Sequence, residues 1–392
     1  MPERRVAITG LGVVSPAGAG MDALWEALQA GQSFTRKIAA FDASAFPTDL
    51  GGCVENFSAR DYVPKNYRKS VKIMARDIEL AVGAAGLAFA DAGIVTAAAG
   101  EGAATTIEPG RLGCNIGAGL ICTDLDEIGV ALTTALDDEG KFSMAKWGAG
   151  GINNLTPLWL LKYLPNMLAC HVTIVHGAKG PSNTITCGDA SAHLAIGEAA
   201  RLVARGGADA VIAGGAESKL NPMGLLRQSL LKRLCTTWRD DASGACRPFD
   251  TQHAGTVIGE GGGLLVIEEM EHARLRGARM YAEVVGFASS CDPNGIEVEK
   301  PSAGGLGLAV RAAMKDAGIT PRQVGLIVTH GTAVPGEDVC ETAEWRSCSA
   351  TWQGGSRPWQ SPARSARCSP GPAGSSWRPR RGRFTAGAFR RR

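Results

Sequence analysis

No apolar run in these 392 residues is long enough to cross a bilayer, and no signal-peptide pattern precedes the first strand-like stretch. The opening, MPERRVAITGLGVV, passes straight into an apolar segment, so a cytoplasmic protein is expected. The eleven cysteines contain no CxxC pair and no Cys/His ligand spacing, which argues against a disulfide framework and against a zinc or other metal site. Histidine is scarce: there are six, none after His330, and no lysine follows Lys315. From Ser347 onward Ile, Leu, Val, Met, Lys, Asp and Glu are all missing while ten Arg remain. Such a segment cannot supply a packed strand or an amphipathic helix face.

That tail distorts the overall charge. The formal net charge is +3, but taking its ten Arg from the 41 Lys+Arg leaves 31 against 38 Asp+Glu, a net of −7 for the body. In the tail, Trp352, Trp359, Trp377 and Phe384 recur without period among Arg, Ser, Gly, Pro and Ala. One explanation is a disordered basic segment that binds nucleic acid or membrane. The other is a reading-frame shift in GC-rich DNA, and the abrupt loss of apolar residues inside an unfinished domain favours it.

What is present suits a buried α/β protein: 45% hydrophobic residues and 52 Gly. Strand-like and helix-like segments alternate, as in a mainly parallel sheet. Strands are expected at Arg5–Gly10, Arg111–Gly117, from Gly206 through Ala213, and at Leu264–Ile267. Helices are expected at Met21–Ala30 and at Lys72–Ala92, the latter ending at Gly93. A second series starts near residue 275, with strands at Ala282–Phe287 and Val324–Thr329 and helices at Leu306–Ala317 and Glu337–Trp345.

The most informative stretch is GPSNTITCGDASAHLAIGEAARLVARGGADAVIAGGAES, Gly180–Ser218, which reads as strand, sharp turn, apolar-faced helix and buried strand. A helix N-terminus after such a turn lowers the pKa of a thiol placed there. Here the tip of the turn is Asp189, and the nearest thiol is Cys187. Gly259, Gly261, Gly262 and Gly263 lead into a strand and not a helix, which argues against a nucleotide loop.

Four segments, in order and at family spacing, resemble the β-ketoacyl-[acyl-carrier-protein] synthase II family. They are VAITGLGVVSPAG, the Gly180–Ser218 stretch, CRPFDTQHAGTVIGEGGGLLVIEEMEHARLRGARMYAEVVGF and THGTAVPGEDVCETAEW. The resemblance covers about residues 4–346. It implies a thiolase-like five-layer αβαβα fold of two similar halves, with the second half incomplete here. The N-terminal half is expected at 1–270, part of the C-terminal half at 271–346, and a tail foreign to the family at 347–392. It also implies decarboxylative condensation of acyl and malonyl groups borne on acyl carrier protein, and a dimer, either of two copies or with an active ketosynthase. No dissociable cofactor is implied.

Carried over residue by residue, the resemblance puts the family's nucleophilic cysteine at Asp189, counted both from Gly180 and back from Ile196. Asp189 also reads as an N-cap, a favoured place for aspartate. Cys187 is a substitute nucleophile if the turn slips by two residues, and otherwise a small buried cysteine. His330, at the end of an expected strand, matches the first catalytic histidine. Thr332 matches the first pantetheine-binding threonine, whereas the second position is Val334. The second catalytic histidine has no counterpart. Glu337 and Asp338 read as first-turn helix carboxylates. The other histidines, 171, 176, 193, 253 and 272, read as structural or surface residues. Lys65, Arg68, Lys69 and Lys72, with Arg233, are candidates for docking the acidic carrier protein, although such runs also serve as solvated faces. Three functions follow: a non-condensing or inactive synthase relative similar to a chain-length factor, an active synthase using Cys187, and nucleic-acid binding through the tail.

Overall fold

The computed structural model describes residues 4–100, 102–292, 304–350 and 389–390. Its centre is one twisted sheet. Strands β1 (Val6–Ser15), β2 (Leu112–Gly117), β3 (Ser182–Ile185), β4 (Ala210–Ser218), β5 (Ile258–Glu269) and β6 (Ala282–Val284) lie in the order β6-β1-β5-β4-β2-β3. β2 runs parallel to both β3 and β4, whereas β5 is antiparallel to β1 and β4 and pairs in parallel with the short strand Leu50–Gly52 at its start. β5 pairs Val6↔Glu269 to Val14↔Gly262 on one side and Ala210↔Glu268 to Ser218↔Glu260 on the other.

Alternation along the central strands buries both faces. Ala210, Ile212, Leu264 and Val266 meet α1 (Arg76–Asp91) and α2 (Met167–His176) through Ile78, Ala85 and Val172. On the other face Val6, Ile8, Val211, Ala213 and Ile267 meet Ala199 and Val203 of α3 (Ser191–Ala204). The helix Met21–Ala30 forms as expected. The expected helix Lys72–Ala92 is two elements: a 3₁₀ helix, Lys65–Ile73, and α1. Met74 and Ala75 are extended between them, and Arg76 is tied to Glu260, Glu79 and the carbonyl of Val54. α1 ends at Gly93, φ +64°, with the Ile94 N–H donating to Phe89 O, a Schellman-type stop.

The second series forms only in part. β6 is shorter than the expected Ala282–Phe287 strand and joins the first sheet opposite Ala7 and Ile8. α4 (Gly305–Asp316) and α5 (Pro335–Ala350) pack on each other, and Arg201 of α3 holds Asp316 at 2.8 Å. The expected strand Val324–Thr329 is irregular chain. A strand needs a ladder partner, and among the described residues nothing pairs there; Val328 stays 47% exposed. A second sheet is therefore missing from the described residues. The Arg-rich tail lies outside them apart from Phe389–Arg390, which pairs antiparallel with β6. No helix among the described residues is long and apolar enough to cross a membrane.

One charge is wholly inside. Glu268 of β5 is fully buried and accepts from Thr9 Oγ1 (2.6 Å), His272 (2.7 Å) and two guanidinium nitrogens of Arg276 (both 2.6 Å). Arg276→Ala leaves that carboxylate without its cation and should cost about 3–5 kcal/mol of stability in urea unfolding. Adding Glu268→Gln should restore part of the loss; if the double variant is less stable still, the charge is not the cause.

Candidate active site

The turn between β3 and α3 is seated by the sheet itself. A Cβ on Gly117, the last residue of β2, would collide with the Ser191–Ala192 backbone, and one on Gly215 of β4 with Ala192. The two glycines let the first turn of α3 rest on the strand ends. The Cys187 N–H donates to Ser191 Oγ at 2.7 Å, and that hydroxyl donates to Gly188 O at 2.7 Å. A cavity of about 290 Å³ opens beside the turn, lined in part by Gly119, Asp189, Ser191, Glu217 and His330.

Asp189 does not cap α3, contrary to expectation. Ala190 holds the cap position and no side chain bonds there. The Asp189 carboxylate turns instead to three cationic side chains from separate segments. Oδ2 lies 3.1 Å from Arg233 Nη2 and 3.5 Å from His330 Nε2, and Oδ1 lies 3.7 Å from Lys219 Nζ. Lys219 also meets Glu217 at 2.6 Å, and Arg233 meets Glu337 at 2.9 Å. The bond from His330, and then the Arg233 and Lys219 charges, hold the Asp189 carboxyl far below the usual carboxylate range. In return Asp189 raises the His330 imidazole above its ordinary value, helped by the Glu341 and Glu337 charges. His193 is lowered, by burial first and by the His330 charge second.

The loop carrying His330 is fixed by two acids of α5. Glu341 accepts from the backbone N–H groups of His330 (2.8 Å) and Gly331 (2.9 Å). Asp338 is buried and accepts from Ala333 N (3.1 Å), Phe249 N (2.7 Å) and His253 Nδ1 (3.1 Å). Hydrogen bonds thus hold His330 where a strand was expected to.

Several expected residues land elsewhere. Cys187 is exposed and does not line the cavity, so it is not a buried thiol; its short turn points it outward. Arg233 is mostly buried in its two ion pairs and is unavailable for surface docking. Lys65, Arg68, Lys69 and Lys72 are exposed together on the Lys65–Ile73 segment. Thr332 Oγ1 accepts from Val334 N at 3.2 Å within its own turn. Glu337 and Asp338 do sit in the first turn of α5, each with a further partner. His171 and His176 are buried against Tyr67 and Thr96, and His272 and His253 hold Glu268 and Asp338. Gly261–Gly263 lie inside β5 and line the cavity. Lys219 and Glu217 were not singled out in sequence; their signal is charge at the C-terminal end of a buried strand, where α/β sheets keep their sites. Among the described residues no cluster of three His, Cys, Asp or Glu side chains could hold a metal.

The Asp189–His330 pair carries a pH signature. The raised histidine contributes stability fully below its unfolded pKa of about 6.5 and loses it as pH rises through the folded value. The depressed carboxylate contributes above about 3.9 and loses it as pH falls through the folded value. The stability gap between wild type and Asp189→Asn should therefore be widest between about pH 4 and 6.5, and narrow towards pH 9. Both groups are partly exposed, so the pair supplies about 1 kcal/mol or less. Urea unfolding at pH 5, 7 and 9 tests this; a gap constant with pH would show that His330 is uncoupled from Asp189.

Residues 3–273 match the family described as Beta-ketoacyl synthase, N-terminal domain, and residues 281–358 match Beta-ketoacyl synthase, C-terminal domain. The chain is 36% identical over 341 residues to 3-oxoacyl-[acyl-carrier-protein] synthase 2 of Vibrio cholerae serotype O1, covering 87% of this chain and 76% of that protein. It is 35% identical over 338 residues to the Staphylococcus aureus protein of the same name, covering 86% and 75%. Among solved structures it resembles a beta-ketoacyl synthase from Burkholderia phymatum (TM-score 0.74, 28% identity, 88% of this chain and 78% of that one). It also resembles the ishigamide ketosynthase/chain length factor, and a type II polyketide ketosynthase solved with its acyl-carrier protein and bound to the hexaketide. Each of those two has a TM-score of 0.71 and 26% identity, over 88% of this chain and 78% of the other. These neighbours share the expected thiolase-like α/β class, and the chain belongs to the beta-ketoacyl synthase family.

Proposed function

We propose that this protein is a non-condensing synthase relative that works in fatty-acid or polyketide synthesis beside an active condensing subunit. The observation that carries this reading is the ion-paired carboxylate of Asp189 on the turn before α3. Condensation needs a nucleophile that takes the acyl group and later releases it to a carbanion. A carboxylate of very low basicity, held by Arg233, Lys219 and His330, is a poor nucleophile towards a thioester. His330 is engaged by Asp189, which leaves it less free to stabilise an enolate. Cys187 as the nucleophile is disfavoured, because its thiol is exposed and outside the cavity lining.

The partner assignments rest on the surface. The exposed bases Lys65, Arg68, Lys69 and Lys72 suit an acidic carrier protein. β3 is an edge strand among the described residues, and the 120–158 region exposes Leu120, Val130, Phe142, Met144 and Leu158, which suits a contact with a second ketosynthase chain. Thr332 is half-buried beside His330 and remains the candidate for holding the pantetheine arm.

With acyl-carrier protein and malonyl-carrier protein supplied, the purified chain should form no 3-oxoacyl product; turnover at ~1 s⁻¹ or faster would sink this reading. Asp189→Cys should place a thiol among two permanent cations at a helix N-terminus, where thiolate forms at neutral pH. That variant should gain the mass of an acyl group from acyl-carrier protein, yet release no condensed product. Failure of the new thiol to acylate or to react with iodoacetamide faster than Cys187 would count against the register assigned to Asp189.

A further inference from the structure

Three cationic groups converge on one carboxylate, Asp189, that lines the cavity together with His330, and convergent cations are how proteins bind small carboxylates. Within the direct ion pairs the charges balance when His330 is protonated: Arg233, Lys219 and His330 face Asp189, Glu217 and Glu337. Glu341 stands behind this set, with its two oxygens taken by the backbone N–H groups of His330 and Gly331, and His193 is the remaining titratable neighbour of His330. Removing the Asp189 charge leaves the set one positive charge in excess. Arg233 Nε is buried without a hydrogen-bond partner, so the guanidinium has one donor beyond its bonds to Asp189 and Glu337. The adjoining cavity of about 290 Å³ has room for a ligand of a few heavy atoms beside the turn.

We propose that Arg233, Lys219 and His330 form a carboxylate-binding cage that Asp189 fills from within, so that the protein's own side chain excludes small carboxylates and carboxylated thioesters from the site. The inference rests on the reading of Asp189 as an ion-pair residue and not a reacting group. It goes beyond the loss of a nucleophile, because it makes Asp189 an internal competitor for one class of ligand. Arg233 and Lys219 are then binding residues with a ligand already in place. Their occupancy also links to protons, since His330 completes the cage only when charged.

The test uses the full chain with Asp189→Ala, titrated with acetate and with malonate against chloride at equal ionic strength, and followed by thermal unfolding. The variant should show a saturable rise in Tm that wild type lacks, with affinity weakening roughly tenfold from pH 6 to pH 8 as His330 loses its proton. Adding Arg233→Gln should abolish the rise. Equal responses to acetate and chloride in folded Asp189→Ala, or an unchanged response in the double variant, would overturn the proposal. Should Asp189→Ala fail to fold in chloride, refolding in acetate supports the cage and failure in both salts refutes it. Condensation by wild type would end the non-condensing reading separately, because that assay does not depend on the acetate titration.

Discussion

Backbone contact between the first turn of the Ser191–Ala204 helix and the glycines at 117 and 215 decides what this protein can do. With no Cβ on either strand end, the helix start sits directly on the sheet, and the preceding turn must project over the cavity. Whatever side chain stands at position 189 is delivered there. The chemistry of the site is then set by that residue and by the cations gathered round it.

Those cations come from distant parts of the chain. Lys219 follows β4, Arg233 follows the Pro222–Leu230 helix, and His330 belongs to the second half. Arg233 joins Asp189 to Glu337, and Asp338 joins the Phe249–His253 loop to the His330 loop. The two halves therefore meet through charge at the site, while Arg201–Asp316 and Phe287 on Gly197 join them away from it. Among the described residues no strand ladder holds His330, and its loop is held by carboxylates of α5 instead.

Much of this was legible in the residues. Periodicity located strands near Arg5–Gly10, Arg111–Gly117 and Ala213, and the family resemblance implied one site for Asp189 and His330, 141 positions apart, which are found 3.5 Å from each other. Side-chain orientation was not legible. Aspartate before a helix reads as a cap, yet the cap bond is local and weak beside three converging cations. Arg233 read as surface charge because a single basic residue carries no sign of burial. The Val324–Thr329 strand failed for another reason: its apolar residues are strand-like, but a strand is a property of pairs, and its expected neighbours are not supplied by the described chain.

The sheet order also has a consequence for how the chain is made. β1 leaves the ribosome long before two of its ladder partners, β5 and β6, and Val6 pairs with Glu269. At ordinary elongation rates that partner arrives on the order of ten to fifty seconds later. Until then Val6, Ala7, Ile8 and Val14, all buried in the finished protein, have no permanent cover. The pairing is among the most non-local in the molecule, which makes folding slow and favours synthesis under chaperone protection.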